Sequence, residues 1–292
     1  MAAVLDHIVI LLPHSTLADL PAWLSDSFTI TPGGRHSNNI TENKLILFQD
    51  GIYIELIAFV DGTPTEVRKS TRWGRRAEGE AVDFALTLLP EPGSPEESFD
   101  PEEVFKNGVQ KMVEGAATGY EYLDPAAGGR ITPDGTELRW AVAVPKQGER
   151  LVEGELPFWC LDRTPRDLRV PFRARSEAAR HPSAVTGVAA VELRVNGVDN
   201  QDELARVYES LLGEGITEDG TSNRVWELGV PETQQERVTT LILKAPGEAT
   251  AAQDRTASIS LTLFTAGASK AISGEIAPGR LLEINLIHTG LQ

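Results

Sequence analysis

Two apolar runs near the N-terminus each place one ionisable side chain among apolar neighbours on a strand face, His7 within residues 4–12 and Glu55 within residues 52–59. Both runs are rich in Ile, Val and Leu and read as β-strands, in which alternate side chains share a face. That alternation groups His7 with Leu5 and Val9, and Glu55 with Tyr53 and Ile57. Where two such faces line one concave sheet, a neutral imidazole and a carboxylate converge in an apolar pocket. The pair suits a divalent metal, or proton abstraction beside a carbonyl. Each residue also has an ordinary reading: a buried histidine hydrogen-bonded to a backbone carbonyl, and an edge-strand acid whose carboxylate reaches solvent.

Further candidates lie nearby. His36 follows Gly33-Gly34-Arg35 in a loop, either as a ligand or acid–base group or as an exposed loop residue. Thr41 and Asn43 stand where a turn enters a strand and either cap that turn or contact substrate. Trp140, Phe158 and Trp159 supply core or, facing inward, the apolar wall of a pocket. Cys160 has no sequence neighbour that lowers its pKa and reads as inert core. His14, His181 and His288 carry no supporting pattern, and His181-Pro182 reads as a linker turn. Gly33-Gly34 is not a dinucleotide fingerprint, since no G-x-G-x-x-G follows a strand, so neither NAD nor FAD is indicated.

The elements that must position these groups recur. The first copy reads as a strand, a short helix over 15–27, a strand at 28–30, a Pro32-Gly33-Gly34 turn, and strands at 44–48 and 52–59 joined by the hairpin signal Asp50-Gly51. The same order of strand, helix and three strands is predicted from 82–88, a helix over 101–113, and strands at 138–144 and 156–161. A third copy runs from the strand at 188–195 through a helix over 201–212 to strands at 225–228, 239–243, 259–264 and 281–287. Residues 162–183, rich in Arg and Pro, read as the linker before that copy, and residues 245–255 as an exposed hairpin loop. The expected division is 1–175, holding two modules at about 4–60 and 80–163, and 184–292 as a third module.

Composition narrows the function classes. The 292 residues are 41% hydrophobic and 24% charged, which suits a folded core rather than a disordered chain. The net charge of −16 repels phosphate, and no basic cluster with interleaved aromatics offsets it, so nucleic acid is not an expected partner. A single cysteine excludes an intrachain disulfide, a Cys-rich zinc site and an iron–sulfur cluster, and fits a reducing compartment. The N-terminal run lacks the basic start of a signal peptide, and no apolar run reaches the roughly 20 residues of a membrane span. A soluble, cytoplasmic protein is expected.

The phrases Leu5-Asp6-His7-Ile8-Val9, Gly33-Gly34-Arg35-His36, Thr41-Glu42-Asn43-Lys44-Leu45 and Gly51-Ile52-Tyr53-Ile54-Glu55-Leu56-Ile57 together resemble the glyoxalase-like family of the vicinal oxygen chelate superfamily. The resemblance extends through Arg139-Trp140-Ala141-Val142 and Leu156-Pro157-Phe158-Trp159, covering residues 4–190. It implies an α+β fold of repeated βαβββ modules whose mixed sheets form a half-open barrel around one small-molecule site. Metal ligands come from the first and last strands of each module, so one divalent ion (Zn, Mn or Fe) at His7 and Glu55 is implied. The second module departs from that pattern: Phe84 is read at the position of His7, and the strand matching Glu55 reads Phe158-Trp159-Cys160. The third module has Ala190 in place of His7, although Glu283 echoes Glu55. Half the ligand set is missing, and with no glutathione site evident, glyoxalase I activity itself is not implied.

The resemblance therefore implies an enzyme of lyase or isomerase type acting on a small oxygenated substrate. His7, Glu55 and His36 are its expected catalytic residues, and Thr41, Asn43, Trp140 and Phe158 its substrate contacts. The other reading is a non-catalytic protein of the same fold that sequesters a small molecule. Three modules leave one unpaired, from which a homodimer is expected.

Overall fold

The computed structural model describes residues 2–91, 93, 99–146, 151–195, 198–232, 237–244 and 257–289. The described strands are β1 (Ala2–Leu12), β2 (Thr31–Arg35), β3 (Thr41–Leu47), β4 (Tyr53–Phe59), β5 (Glu80–Leu89), β6 (Ala126–Ile131), β7 (Glu137–Ala143), β8 (Phe158–Asp162), β9 (Val185–Arg194), β10 (Ile216–Thr217), β11 (Arg224–Leu228), β12 (Thr239–Lys244), β13 (Ser258–Thr265), β14 (Lys270–Ala277) and β15 (Arg280–His288). They form two mixed sheets, in the orders β2-β3-β4-β1-β5-β8-β7-β6 and β10-β11-β12-β9-β13-β15-β14. The fold is α+β, and the first sheet is two βαβββ modules joined back to back through the antiparallel pair β1 and β5.

Both faces of the first sheet's central strands are apolar, and each face has its own task. Ile8, Ile10, Ile54, Phe84 and Trp159 pack on one side against Leu17, Leu24, Phe28 and Phe105 from the connecting segments. On the other side Val9, Ile57, Ala85, Trp140 and Phe158 line a concave surface. The sheet curls until its edges meet. Beyond β2, His36 bridges Arg130 of β6, and the Ser37 N–H donates to the Gly129 carbonyl at 2.9 Å.

Several sequence expectations need correction. Leu5 does not share the face of His7 and Val9; it packs with Ile8 and Ile10, because the β1 and β5 register slips between Leu5 and His7 and leaves Asp6 as an extra residue. Gly33 and Gly34 lie inside β2 rather than in a turn. The helix expected over 15–27 is two short helices, His14–Ala18 and Ala22–Ser25, because Pro21 cannot continue the first. The third copy is a full module, β9, the helix Val198–Leu212 and β10 to β12, followed by three strands, β13 to β15, that pair with it inside the same sheet. Among the described residues each module pairs with other strands inside one of the two sheets. Residues 245–255 lie outside the described residues.

The stretch 162–183 does connect the two sheets, but it is packed rather than loose. Arg169, Val170, Phe172 and Ala179 are buried, and the last three cluster with Leu45, Leu47 and Tyr53. His181, expected to be a linker turn, is wedged between Phe28 and Phe48. Its Nδ1 accepts the Thr29 N–H at 3.1 Å, so Nε2 carries the proton and donates to the Leu47 carbonyl at 2.9 Å. Burial, only partly opposed by the Leu47 hydrogen bond, pushes its pKa down to about 4. A histidine depressed in the fold contributes stability above its unfolded pKa that is lost as pH falls towards the folded one. Relative to His181→Gln, the protein is expected to lose about 3 kcal/mol of stability between pH 6.5 and pH 4. Urea melts of both proteins across that range measure the difference; parallel curves would refute it. The comparison with the variant matters because Asp50 acts oppositely. Burial raises its carboxyl to about 7 against hydrogen bonds from the Ile52 and Val188 N–H groups, which weakens the fold as pH rises from about 4 to 7.

Candidate functional site

The concave face of the first sheet holds a cavity of about 280 Å³. Of the residues singled out from sequence, His7, His36, Thr41, Asn43, Glu55, Trp140, Phe158 and Cys160 all line it. Trp159 faces the other way, fully buried against Phe105. His14 stays at the surface with Glu42 and Asp61, and His288 and Glu283 are exposed.

The bulge in β1 puts two consecutive side chains to work together. Asp6 Oδ2 lies 2.6 Å from His7 Nδ1. The buried Asp6 carboxylate also accepts from Arg169 at 2.9 and 3.0 Å and from Arg166, both carried by the helix Arg166–Arg169 in the stretch read as a linker. Burial opposes ionisation of Asp6, but the charges of Arg166 and Arg169 and the His7 contact outweigh it and hold the carboxyl well below the usual range. An ionised Asp6 can only accept, so Nδ1 of His7 carries a proton towards it and Nε2 is the ring nitrogen turned to the cavity. The ring is fixed further by stacking on Tyr53 at 4.6 Å and by the edge of Phe158 at 5.3 Å.

Glu55 reaches the same point from β4, its Oε2 3.6 Å from His7 Nε2. Its other oxygen accepts from Asn43 Nδ2 at 2.5 Å, while Asn43 Oδ1 takes the Gly34 N–H at 3.1 Å. This arrangement needs glycine at position 33, where a Cβ would stand 2.0 Å from Asn43 Oδ1. His36 completes the group: Nε2 lies 3.6 Å from Glu55 Oε1 and 3.4 Å from Asn43 Nδ2, and Nδ1 lies 2.7 Å from Thr41 Oγ1. Burial lowers the His36 pKa; Glu55 opposes this, and Arg130 and His7 add to it. The neutral ring is therefore expected to donate from Nδ1 to Thr41 and to accept at Nε2 from Asn43.

Trp73, Trp140 and Phe158 supply the apolar lining, Phe158 edge-on to His7 and Trp140 edge-on to His36, with the Cys160 thiol kept protonated by burial. Sequence reasoning missed Asp6, Arg72, Arg130 and Arg169. Only Asp6 carried a local signal, its adjacency to His7, and strand alternation placed it on the wrong face.

The pairing register also corrects how the modules correspond. The pairs His7 with Ala85 and Val9 with Asp83 flank the pair Ile8 with Phe84, so the pseudo-twofold exchanges His7 with Asp83, not with Phe84. Glu55 beside Val9 exchanges with Phe158 beside Ala85. The second module thus does carry an acid at the His7 position, but Arg72 and Trp73 bind its carboxylate at 2.7 and 2.6 Å, and it does not line the cavity. Phe158 brings no donor atom. Among the described residues no group of three or more His, Cys, Asp or Glu side chains is disposed to hold a metal ion. The residues present therefore do not fit the complete metal centre that the resemblance implies, since two of its four positions are closed by Arg72 and by a phenyl ring.

Comparison with known proteins agrees with this architecture. The family model of a glyoxalase-like domain matches residues 5–212. No curated protein matches the chain. A hypothetical protein from Staphylococcus aureus superposes with a TM-score of 0.63 at 14% identity, over 97% of this chain and 99% of its own. A 4-hydroxymandelate synthase variant from Streptomyces coelicolor (TM-score 0.44, 13% identity, 91% and 72% coverage) and 2,2',3-trihydroxybiphenyl 1,2-dioxygenase from Sphingomonas wittichii (TM-score 0.45, 9% identity, 98% and 91% coverage) are more distant. At these identities likeness concerns the fold, and only the first superposes closely enough to support it. With paired βαβββ halves curled around one cavity and a family match over more than two thirds of its length, the chain belongs to the glyoxalase-like domain family of the vicinal oxygen chelate superfamily.

Proposed function

We propose that the protein is an enzyme that moves a proton on a small oxygenated organic substrate, in a reaction of lyase or isomerase type, with His7 and Glu55 as its acid–base pair. The observation that carries this reading is that His7, Glu55 and His36 converge inside one cavity, with Asp6 buried behind His7. His7 Nε2 takes a proton from carbon next to a carbonyl, leaving an enolate and an imidazolium. Asp6 on one side and Glu55 on the other stabilise that cation, and Glu55 Oε2 is close enough to receive the proton in turn. Where the deprotonated carbon bears a hydroxyl, the enolate is an enediolate, and returning the proton to the former carbonyl carbon while the hydroxyl proton passes to the carbonyl oxygen isomerises the substrate; expelling a leaving group from the β-carbon instead makes the reaction an elimination. Asn43 holds Glu55 in place, and Trp140 and Phe158 form an apolar wall that strengthens these charge interactions.

The test is solvent deuterium uptake, followed by NMR, into a panel of 2-hydroxy and 2-oxo compounds. Uptake catalysed by the native chain and lost in His7→Ala is expected. Saturable binding with no uptake or turnover would favour the sequestering reading, for which the aromatic wall is the supporting feature. Elemental analysis in parallel addresses the metal: near-stoichiometric Zn, Mn or Fe lost in both His7→Ala and Glu55→Ala would replace acid–base chemistry alone with a metal-assisted reaction.

A further inference from the structure

We propose that Arg130 is the anion anchor of the cavity, and that the substrate is a small monocarboxylate with an apolar body. This rests on the cavity being the substrate site, as in the function proposed above, and names the class of molecule it takes.

Three arginines line the cavity, and two are already committed. Arg72 pairs with Asp83, and Arg169 with Asp6 and Asp162. Arg130 is different. It is 6% exposed; Nη1 donates to the Gly33 carbonyl at 3.0 Å, and although the Glu55 charge acts on it, no carboxylate among the described residues forms an ion pair with it. A guanidinium has five N–H donors, so most of its hydrogen-bonding capacity is left over. Buried charge without a pairing anion is costly, and a site that accepts the cost gains from an anion that arrives with the ligand.

Direction and space agree. Arg130 sits directly opposite His36 across the bridge that joins β2 to β6, and side chains opposed in this way share a face. Both therefore point into the cavity. The strand leading to Arg130 is Ala126, Ala127, Gly128 and Gly129, small residues that line the cavity beside it. Glycine at 128 is required by Trp140, whose indole nitrogen would lie 2.6 Å from a Cβ there. The planar fork of an arginine fits two carboxylate oxygens. Trp73, Trp140 and Phe158, which also line the cavity, fit an apolar or aromatic remainder rather than a second charge.

Because Trp73 and Trp140 line the cavity, binding is read by tryptophan fluorescence. The probes are phenylacetate, 3-phenyllactate, benzoate and octanoate, each beside its neutral amide. At least one acid is expected to bind about tenfold to a hundredfold more tightly than its amide. Arg130→Gln should abolish that preference while leaving amide affinity unchanged, and Arg130→Lys should restore part of it. Near-ultraviolet circular dichroism confirms that each variant keeps its aromatic packing; if Arg130→Gln does not, the decision passes to Arg130→Lys and the acid-to-amide ratio of the native chain. Equal affinity for acid and amide in the native chain, or no acid binding up to about 10 mM, overturns the inference. Acid binding that depends on Arg130, without deuterium uptake into any compound, would sustain it while removing the proton-transfer reading.

Discussion

Asp6→Ala is expected to lower the stability of the fold by about 3–5 kcal/mol, the cost of removing one partner from a buried ionic cluster. Asp6 is fully buried and bridges Arg166 and Arg169, and Arg169 also donates to Asp162 and to Tyr53 Oη. Without the Asp6 carboxylate, two guanidinium groups share Asp162 alone. In a protein of this size, a loss of that order moves the melting temperature by roughly 10 °C. The effect depends on charge, so Asp6→Asn, which preserves shape, should recover little of it. The pH dependence has a definite sign. Asp6 is ionised far below its unfolded pKa, so its contribution is present above pH 4 and disappears as pH falls through the depressed value. Native and variant melting temperatures should therefore converge in strong acid. A melt within about 2 °C of the native protein at pH 7 would show that the cluster does not hold β1 to the 166–169 helix.

Glu55→Gln is expected to lower turnover by about 10²–10⁴-fold, the usual span for removal of an acid–base group, with ligand affinity nearly unchanged. The carboxamide can still accept the Asn43 hydrogen bond. It cannot take a proton from His7, and its NH₂ group, placed where Oε2 stands 3.6 Å from Nε2, would occupy the lone pair that acts as base. Full turnover in this variant would remove Glu55 from the chemistry and leave His7 with His36. Affinity lost together with turnover would instead make Glu55 a binding group.

Much of this arrangement is legible in the primary structure because it rests on local alternation. Tyr53, Glu55 and Ile57 do share the cavity face, as a strand with period two requires. His7 reaches the same cavity, and so do Thr41 and Asn43, two residues apart on β3. What failed was whatever one extra residue can change. A bulge at Asp6 moves Leu5 to the opposite face and aligns His7 with Asp83 rather than with Phe84, and no sequence pattern marks a bulge without glycine. Long-range pairing was equally hidden. Arg169 lies 163 positions from Asp6, and its segment reads as polar and loose because its charged groups are satisfied only by residues folded over it. Arg130 lay in a Gly-rich run with no apolar periodicity, where nothing local indicates a cavity.

The seam between β2 and β6 has a kinetic consequence. Every other neighbouring pair in the eight-stranded sheet is joined along a ladder, whereas here one bridge, carried by the Ser37 to Gly129 hydrogen bond, and the Arg130 side-chain bond to the Gly33 carbonyl close the ring. A ladder opens cooperatively, but two isolated bonds open alone. The Ser37 amide should therefore exchange its hydrogen through local fluctuations, far faster than the amides of β1 and β5, whose exchange requires the sheet to come apart. An occupant held by Arg130 on one lip and by the His36 cluster on the other spans that joint. Its residence would be recorded as slowed exchange at one amide, without displacement of any strand.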